Sequence, residues 1–215
     1  MKNILILLFL AFTCSCTDTE ETSKGADGSI SLFNGKDLTG WKVSGFGGDG
    51  EIKVQDGEIF MDYGTPMTGL TYTGEVPTVD YEVELDAQKV DGNDFFVGLT
   101  FPYKDSHLTL ILGGWGGVTC GISSFDYADA SENDTAFVKL FHKKKWYHIK
   151  LRVIDEKVIV YIGDEKVIDR EIQGQRVHTR PEVEPSKPFG LAAFETQAKY
   201  KNITLRKLPK SSTEE

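Results

Sequence analysis

The chain has 215 residues, a formal net charge of -9, 11% aromatic residues, 22 glycines and 3 cysteines. That length gives one domain a sizeable core, and the acidic balance argues against nucleic acid as a partner. With no long helical period, the glycine and aromatic content favours an all-β domain of many short strands.

Residues 1–16 resemble a bacterial lipoprotein leader. Lys2 supplies a short positive segment, and the apolar run from Ile4 to Phe12 is too short to span a bilayer. It ends in Thr13-Cys14-Ser15-Cys16, similar to a lipobox, with Cys16 as the lipidated residue and Cys14 as the alternative acceptor. Cleavage before Cys16 leaves Cys120 as the remaining thiol, so the mature chain has no intramolecular disulfide. Residues 17–29 read as a flexible polar tether. Its early acidic residues resemble the export signal of surface lipoproteins in Bacteroidetes. The expected location is the cell envelope, as an outer-membrane lipoprotein on the periplasmic or the surface side, touching the membrane only through its lipid.

The folded domain is expected over 30–209, followed by a disordered tail at 210–215. It opens with Leu32-Phe33-Asn34-Gly35-Lys36-Asp37-Leu38-Thr39-Gly40-Trp41, where Asn34-Gly35 marks a tight turn that folds Trp41 back onto the core. Short strands follow: Glu51 to Val54 and Glu58 to Met61 around a Gly57 turn, then Leu70 to Tyr72, then Tyr81 to Leu85. The stretch from Gly92 to Gly117 reads as two strands joined by a Pro-Tyr-Lys-Asp-Ser turn. Alternation sends Phe95, Val97, Leu99 and Phe101 to the core with Leu108, Leu110 and Leu112. Asp94, Phe96, Gly98 and Thr100, with His107, Thr109 and Ile111, face the other way. Four glycines around Trp115 let backbone and indole approach a flat ligand closely.

Val118 to Ser124 is a further strand, and Phe125 to Thr135 is an acidic loop. Trp146 to Ile154 alternates, with Tyr147, Ile149, Leu151 and Val153 inside. Lys157 to Ile162 and Lys166 to Ile172 form a hairpin about Gly163-Asp164, and Phe189 to Glu195 and Tyr200 to Leu208 close the domain. Between them, prolines 181, 185 and 188 predict a stiff extended loop that holds Arg180 and Glu182. Many short strands with regular turns mean a β-sandwich or barrel. The absence of Gly-x-Ser-x-Gly, His-Glu-x-x-His and phosphate-loop patterns removes nucleophilic-serine, zinc-protease and nucleotide readings.

Three stretches together resemble one family: the opening Leu32-to-Trp41 motif, the Trp146-Tyr147-His148-Ile149-Lys150 strand with its Gly-Asp hairpin, and the closing Phe-Gly-Leu-Ala-Ala-Phe-Glu-Thr with Tyr-Lys-Asn-Ile-Thr-Leu-Arg-Lys-Leu. The family is that of 3-keto-glucoside 1,2-lyase and 3-keto-2-hydroxy-glucal hydratase domains, also called 3-keto-disaccharide hydrolases. The resemblance spans about residues 31–208 and implies a concanavalin A-like jelly roll, a β-sandwich of two antiparallel sheets. It also implies a carbohydrate or 3-keto-glycoside substrate, cleaved by elimination at C1–C2, with hydration of the resulting glucal. One departure stands out. Family members carry a Tyr-Glu-x-Gln-like run where this chain reads His107-Leu108-Thr109-Leu110.

Such chemistry needs a base for the C2 proton, a stabiliser for the enolate, an acid for the leaving oxygen and platforms for the sugar ring. His107 is the base by residue type, with Asp94 on the neighbouring strand and Glu195 as a second carboxylate. Arg180 is the oxyanion partner. Phe96, Trp115, Thr109 and Glu182 are the expected substrate contacts. A divalent ion would also stabilise the enolate, and Asp126, Asp129 and Glu132 of the acidic loop are the weak candidates to hold one. The competing reading is a carbohydrate-binding jelly roll without catalysis.

Overall fold

Alternating apolar residues produce long ladders that only burial on one face explains. In the computed structural model, which describes residues 25 and 27–210, the leader, Cys16, most of the tether and the tail from residue 211 lie outside the described residues. Fifteen strands are described: β1 (Ile30–Ser31), β2 (Trp41–Val43), β3 (Ile52–Gln55), β4 (Glu58–Met61), β5 (Met67–Tyr72), β6 (Tyr81–Gly92), β7 (Val97–Tyr103), β8 (Ser106–Gly114) and β9 (Thr119–Ser123). They continue with β10 (Phe137–Val138), β11 (Trp146–Ile154), β12 (Lys157–Ile162), β13 (Glu165–Glu171), β14 (Gly190–Phe194) and β15 (Thr196–Lys207). The fold is a concanavalin A-like jelly roll of two antiparallel sheets. One runs β13-β12-β11-β6-β15-β4-β3, with β1 also on β15; the other runs β10-β9-β8-β7-β14-β5-β2.

The core lies between the sheets. Tyr81, Val83, Leu85 and Ala87 of β6 and Ile149, Leu151 and Val153 of β11 meet Val97, Leu99, Phe101, Leu108, Leu110 and Leu112 from the other side. On the outer face of the first sheet, cross-strand register sets Glu82 opposite Arg152, Glu84 opposite Lys150 and Asp86 opposite His148. Opposite charges at paired positions fix that register, because a slip of one residue would bury them.

The Asn34 turn connects the two sheets rather than closing a hairpin. Asn34 Oδ1 accepts the N–H groups of Lys36 and Asp37 at 2.8 and 3.0 Å. Gly35 takes the left-handed φ of 74° that this turn requires. Trp41 is buried, donates Nε1–H to the Leu32 carbonyl at 2.7 Å and meets Tyr72 edge-on at 5.2 Å.

Two expectations are corrected. The proline-rich stretch is not extended: Pro181–Ser186 forms a 3₁₀ helix with Pro181 at its first turn, where a fixed φ and a missing N–H suit a helix start. Phe95 and Phe96 exchange faces. The ladder with β8 begins only at Val97, and the bend before it shifts the alternation by one residue. Phe96 is therefore fully buried in the core against Phe141 and Tyr147, and its carbonyl accepts the Tyr200 hydroxyl at 2.6 Å.

Candidate functional site

Two ladder rows on the outer face of the second sheet build the floor. In one, Gly69, Ala192, Gly98, Ile111 and Gly121 stand side by side across β5, β14, β7, β8 and β9. In the next, Thr71, Gly190, Thr100, Thr109 and Ser123 do the same. The small residues admit a second layer pressed onto the sheet. A Cβ on Gly69 would lie 2.6 Å from the Phe46 ring, one on Gly98 2.9 Å from the Phe95 ring, and one on Gly121 2.4 Å from the Ala130 carbonyl oxygen. Val183 of the 3₁₀ helix completes this layer, packed with Met67, Phe95 and Ile111.

The layer leaves a cleft of about 220 Å³. Its walls are mainly apolar, from Met67, Phe95, Ile111, Val183 and Phe194, with the Thr109 and Ser123 positions on the floor. The charged lining consists of Asp94, Arg180 and Glu182, and Trp115 also lines the opening. Asp94 belongs to the bend before β7. Its carboxylate accepts the Phe95 N–H at 2.7 Å and the Gly116 N–H at 3.4 Å, while its own N–H donates to Thr196 Oγ1 at 3.1 Å. That ties Asp94 to the turn carrying Trp115, a residue that is 43% exposed.

Arg180 pairs with Glu182 at 2.9 Å and also donates to Asp129, which accepts the Ser123 hydroxyl as well. The Glu182 hydrogen bond raises the Arg180 pKa, and the same bond lowers that of Glu182. The guanidinium is thus held in place and stays charged.

The cleft therefore brings together Asp94, Trp115, Thr109, Arg180 and Glu182 among the residues singled out from sequence. Three others lie elsewhere. Phe96 is in the core, and Phe95 takes its place in the lining. His107 is on the same strand face as Thr109, but it pairs with Pro102 at the far end of β8. A Cβ on Gly114, by contrast, would come within 3.7 Å of Asp94. Seven strand residues separate the two levels, roughly 20 Å at ~3.3 Å per residue. Burial lowers the His107 pKa, helped by Lys187 and opposed by Glu184. Glu195 is exposed at the break between β14 and β15, with its N–H donated to the Pro66 carbonyl at 2.8 Å, and it does not line the cleft.

The acidic loop is used differently from the metal reading. Asp126 accepts the Arg176 N–H at 2.9 Å, Asp129 holds Arg180 and Ser123, and Glu132 reaches the Asp129 N–H at 3.4 Å. Among the described residues, no three His, Cys, Asp or Glu side chains gather to hold a metal ion. The lining residues that sequence reasoning missed are Met67, Phe95, Ile111, Ser123, Val183 and Phe194. Their signal is the glycine row, visible only once the strand register is known.

Residues 28–206 match the family described as the 3-keto-alpha-glucoside-1,2-lyase-like domain. The chain belongs to that family. Among curated proteins none matches significantly. Solved structures with the same fold include the carbohydrate binding module CBM66 from Bacillus subtilis, with 18% identity and a TM-score of 0.54 over 79% of this chain and 96% of that one. A putative glycosyl hydrolase from Parabacteroides distasonis has 17% identity and a TM-score of 0.53 over 86% and 95%. The Crh5 transglycosylase has 10% identity and a TM-score of 0.55 over 84% and 83%. At these identities the likeness is one of fold. The 3-keto-alpha-glucoside-1,2-lyase-like family places the chain among carbohydrate-active domains. Its outward positions on β8 are here His107, Thr109 and Ile111, so that strand brings no carboxylate to the cleft.

Proposed function

We propose that the domain cleaves 3-keto-glycosides by elimination across C1 and C2 and hydrates the resulting 3-keto-2-hydroxy-glucal, with Asp94 as base. The observation that carries this reading is a fixed carboxylate and a fixed guanidinium lining one small apolar cleft in a domain of this family. The C3 ketone acidifies the C2 proton. Asp94 takes that proton, the electron pair moves into the C2–C3 enolate, and then the C1–O bond breaks as the enone forms. Arg180 donates to the C3 oxygen while it bears negative charge. Glu182, held as a carboxylate by Arg180, is a poor acid, so the departing oxygen takes its proton from water at the open mouth. The hydroxide left by that water then adds to C1 of the enone while the proton held by Asp94 returns to C2, which restores the carboxylate. Thr109 and Ser123 offer hydroxyls to the sugar, and Phe95 and Trp115 offer ring faces.

The test is the enone absorbance released from a 3-keto-glucoside. The wild-type chain is expected to produce it, and Asp94→Asn to lose at least about 100-fold in rate, as for removal of a general base. Full activity in D94N would remove Asp94 from the role. Wild-type binding without turnover would establish the non-catalytic carbohydrate-binding reading instead. We further propose that Cys16 carries a lipid that holds the domain at the outer membrane, a reading supported by the sequence before it.

A further inference from the structure

A positive φ is uncommon for any residue but glycine, and a bulky side chain there is disfavoured. Among the described residues, ten non-glycine positions have one. Eight of them carry Asp, Asn, Lys or Glu, and the other two carry Trp115 and Tyr127. Both aromatics are exposed, Trp115 at the mouth of the cleft and Tyr127 by as much as 66%. An aromatic ring kept where folding disfavours it, and then left in solvent, points to a use in binding.

Tyr127 sits in the turn between Phe125 and Ala128, which pair through backbone hydrogen bonds of 3.1 and 2.8 Å. Its two central residues are Asp126 and Tyr127, at φ of 47° and 72°, where such a turn favours Asn-Gly. The turn is fixed from behind. Asp126 donates its N–H to the Arg176 carbonyl at 2.8 Å, and its carboxylate accepts the Arg176 N–H at 2.9 Å. The Arg176 guanidinium lies 4.7 Å from the centre of the Tyr127 ring, and the His178 ring 5.3 Å from it. Two side chains thus hold the ring, and most of its surface stays open.

The same two segments lead into the cleft. Asp129, two residues after Tyr127, accepts from Arg180 and Ser123, and Arg180 is two residues after His178. Two residues span at most ~7 Å, so the ring stands close beside Arg180. Positions along β8 give the side. Asp94 and Trp115 lie at the level of Gly114, whereas Ser123 pairs with Thr109. Farther along, Val177, which pairs with Phe125, accepts the Ser106 hydroxyl at 2.7 Å. Tyr127 is therefore past Arg180, at the end of the cleft away from Trp115.

We infer that Tyr127 is a stacking platform for a second sugar ring, joined to the one in the cleft, so that the ligand is a disaccharide or longer. The carbohydrate class rests on the function proposed above; the second ring rests on Tyr127 and its setting. A pyranose offers a face of C–H bonds to an aromatic ring, and the phenol hydroxyl can exchange hydrogen bonds with sugar hydroxyls. The exposed neighbours of Tyr127 are Asp126 and Arg176, which are charged. That is a polar surround suited to a sugar, not the broad apolar patch that a protein partner needs.

The experiment measures binding by calorimetry with methyl α-glucoside, which has one ring, and maltose, which has two. Neither carries a ketone, so neither is consumed by elimination. Wild type is expected to bind maltose about threefold to tenfold more tightly, the size of one aromatic contact. Tyr127→Phe should keep that preference. Tyr127→Gly should lose it while binding methyl α-glucoside as wild type does. Glycine takes this φ freely, so Y127G should unfold at a urea midpoint no lower than that of wild type. Equal binding of the two sugars by wild type, binding of neither, or an undiminished maltose preference in Y127G would overturn the inference. A Y127G chain that is less stable and weakened equally toward both sugars would make the ring structural, and would overturn it too. Failure of wild type to release enone from a 3-keto-glucoside counts against the proposed reaction alone, because these two sugars are bound without reacting.

Discussion

Replacing Gly98 by alanine tests the construction of the cleft from a sheet and a layer pressed onto it. A Cβ at this position would lie 2.9 Å from the edge of the Phe95 ring and 3.3 Å from the Ala192 carbonyl oxygen. Carbon atoms settle at about 3.5–4.0 Å, so the ring must withdraw by at least about half an ångström. Its neighbour on the cleft side is the Phe194 ring, 5.7 Å away between centroids. Overpacking of this kind costs ~1–3 kcal/mol. Because the displaced atom belongs to a ring beside an open cleft, Gly98→Ala should cost about 1 kcal/mol, at the low end of that range. Gly121→Ala supplies the contrast, since its Cβ would meet the backbone oxygen of Ala130 at 2.4 Å. There the loop itself must move, at a cost of about 3 kcal/mol or more. Urea unfolding followed by tryptophan fluorescence reads both as shifts in midpoint at constant slope. G98A should also weaken sugar binding about tenfold, the size of a modest loss of contact free energy, because Phe95 moves within the cleft. The reasoning fails if G121A is no more destabilising than G98A, or if G98A binds sugar as wild type does.

Trp41→Ala should cost ~3–5 kcal/mol, as for other buried large aromatics; Trp41→Phe should lose about 1–3 kcal/mol through the unpaired Leu32 carbonyl. A W41A chain that unfolds at the wild-type urea midpoint would contradict this. Cys16→Ala should release the protein from the membrane fraction of cells that express it, and an unchanged distribution on immunoblots would remove the proposed lipid anchor.

Strand identity was readable because Leu108, Leu110 and Leu112 alternate against Thr109 and Ile111, and a ladder with one buried face has no other register. The same rule misplaced Phe95 and Phe96, since it assumes an extended chain and residues 93–96 are a bend. Alternation also gives the face of a residue but not its height on the sheet. His107 was therefore assigned the correct face yet lies about 20 Å, or seven strand steps, from the level of Asp94. Arg180 and Glu182 were found through the prolines around them, although stiffness came from a 3₁₀ turn rather than an extended segment. Asp129 drew notice as a metal candidate, and only the fold reveals that it holds Arg180.

The row of small residues across the second sheet separates what makes the domain fold from what makes it selective. The strands contribute mostly Gly69, Ala192, Gly98 and Gly121 there, while Phe46, Phe95, Ala130 and Val183, which cover them, come from connections between strands. A homologue can exchange those covering side chains, and so reshape its recognition of sugars, while every strand pairing stays as it is. Divergence in substrate should then concentrate in four connecting segments, with the glycines beneath them left unchanged.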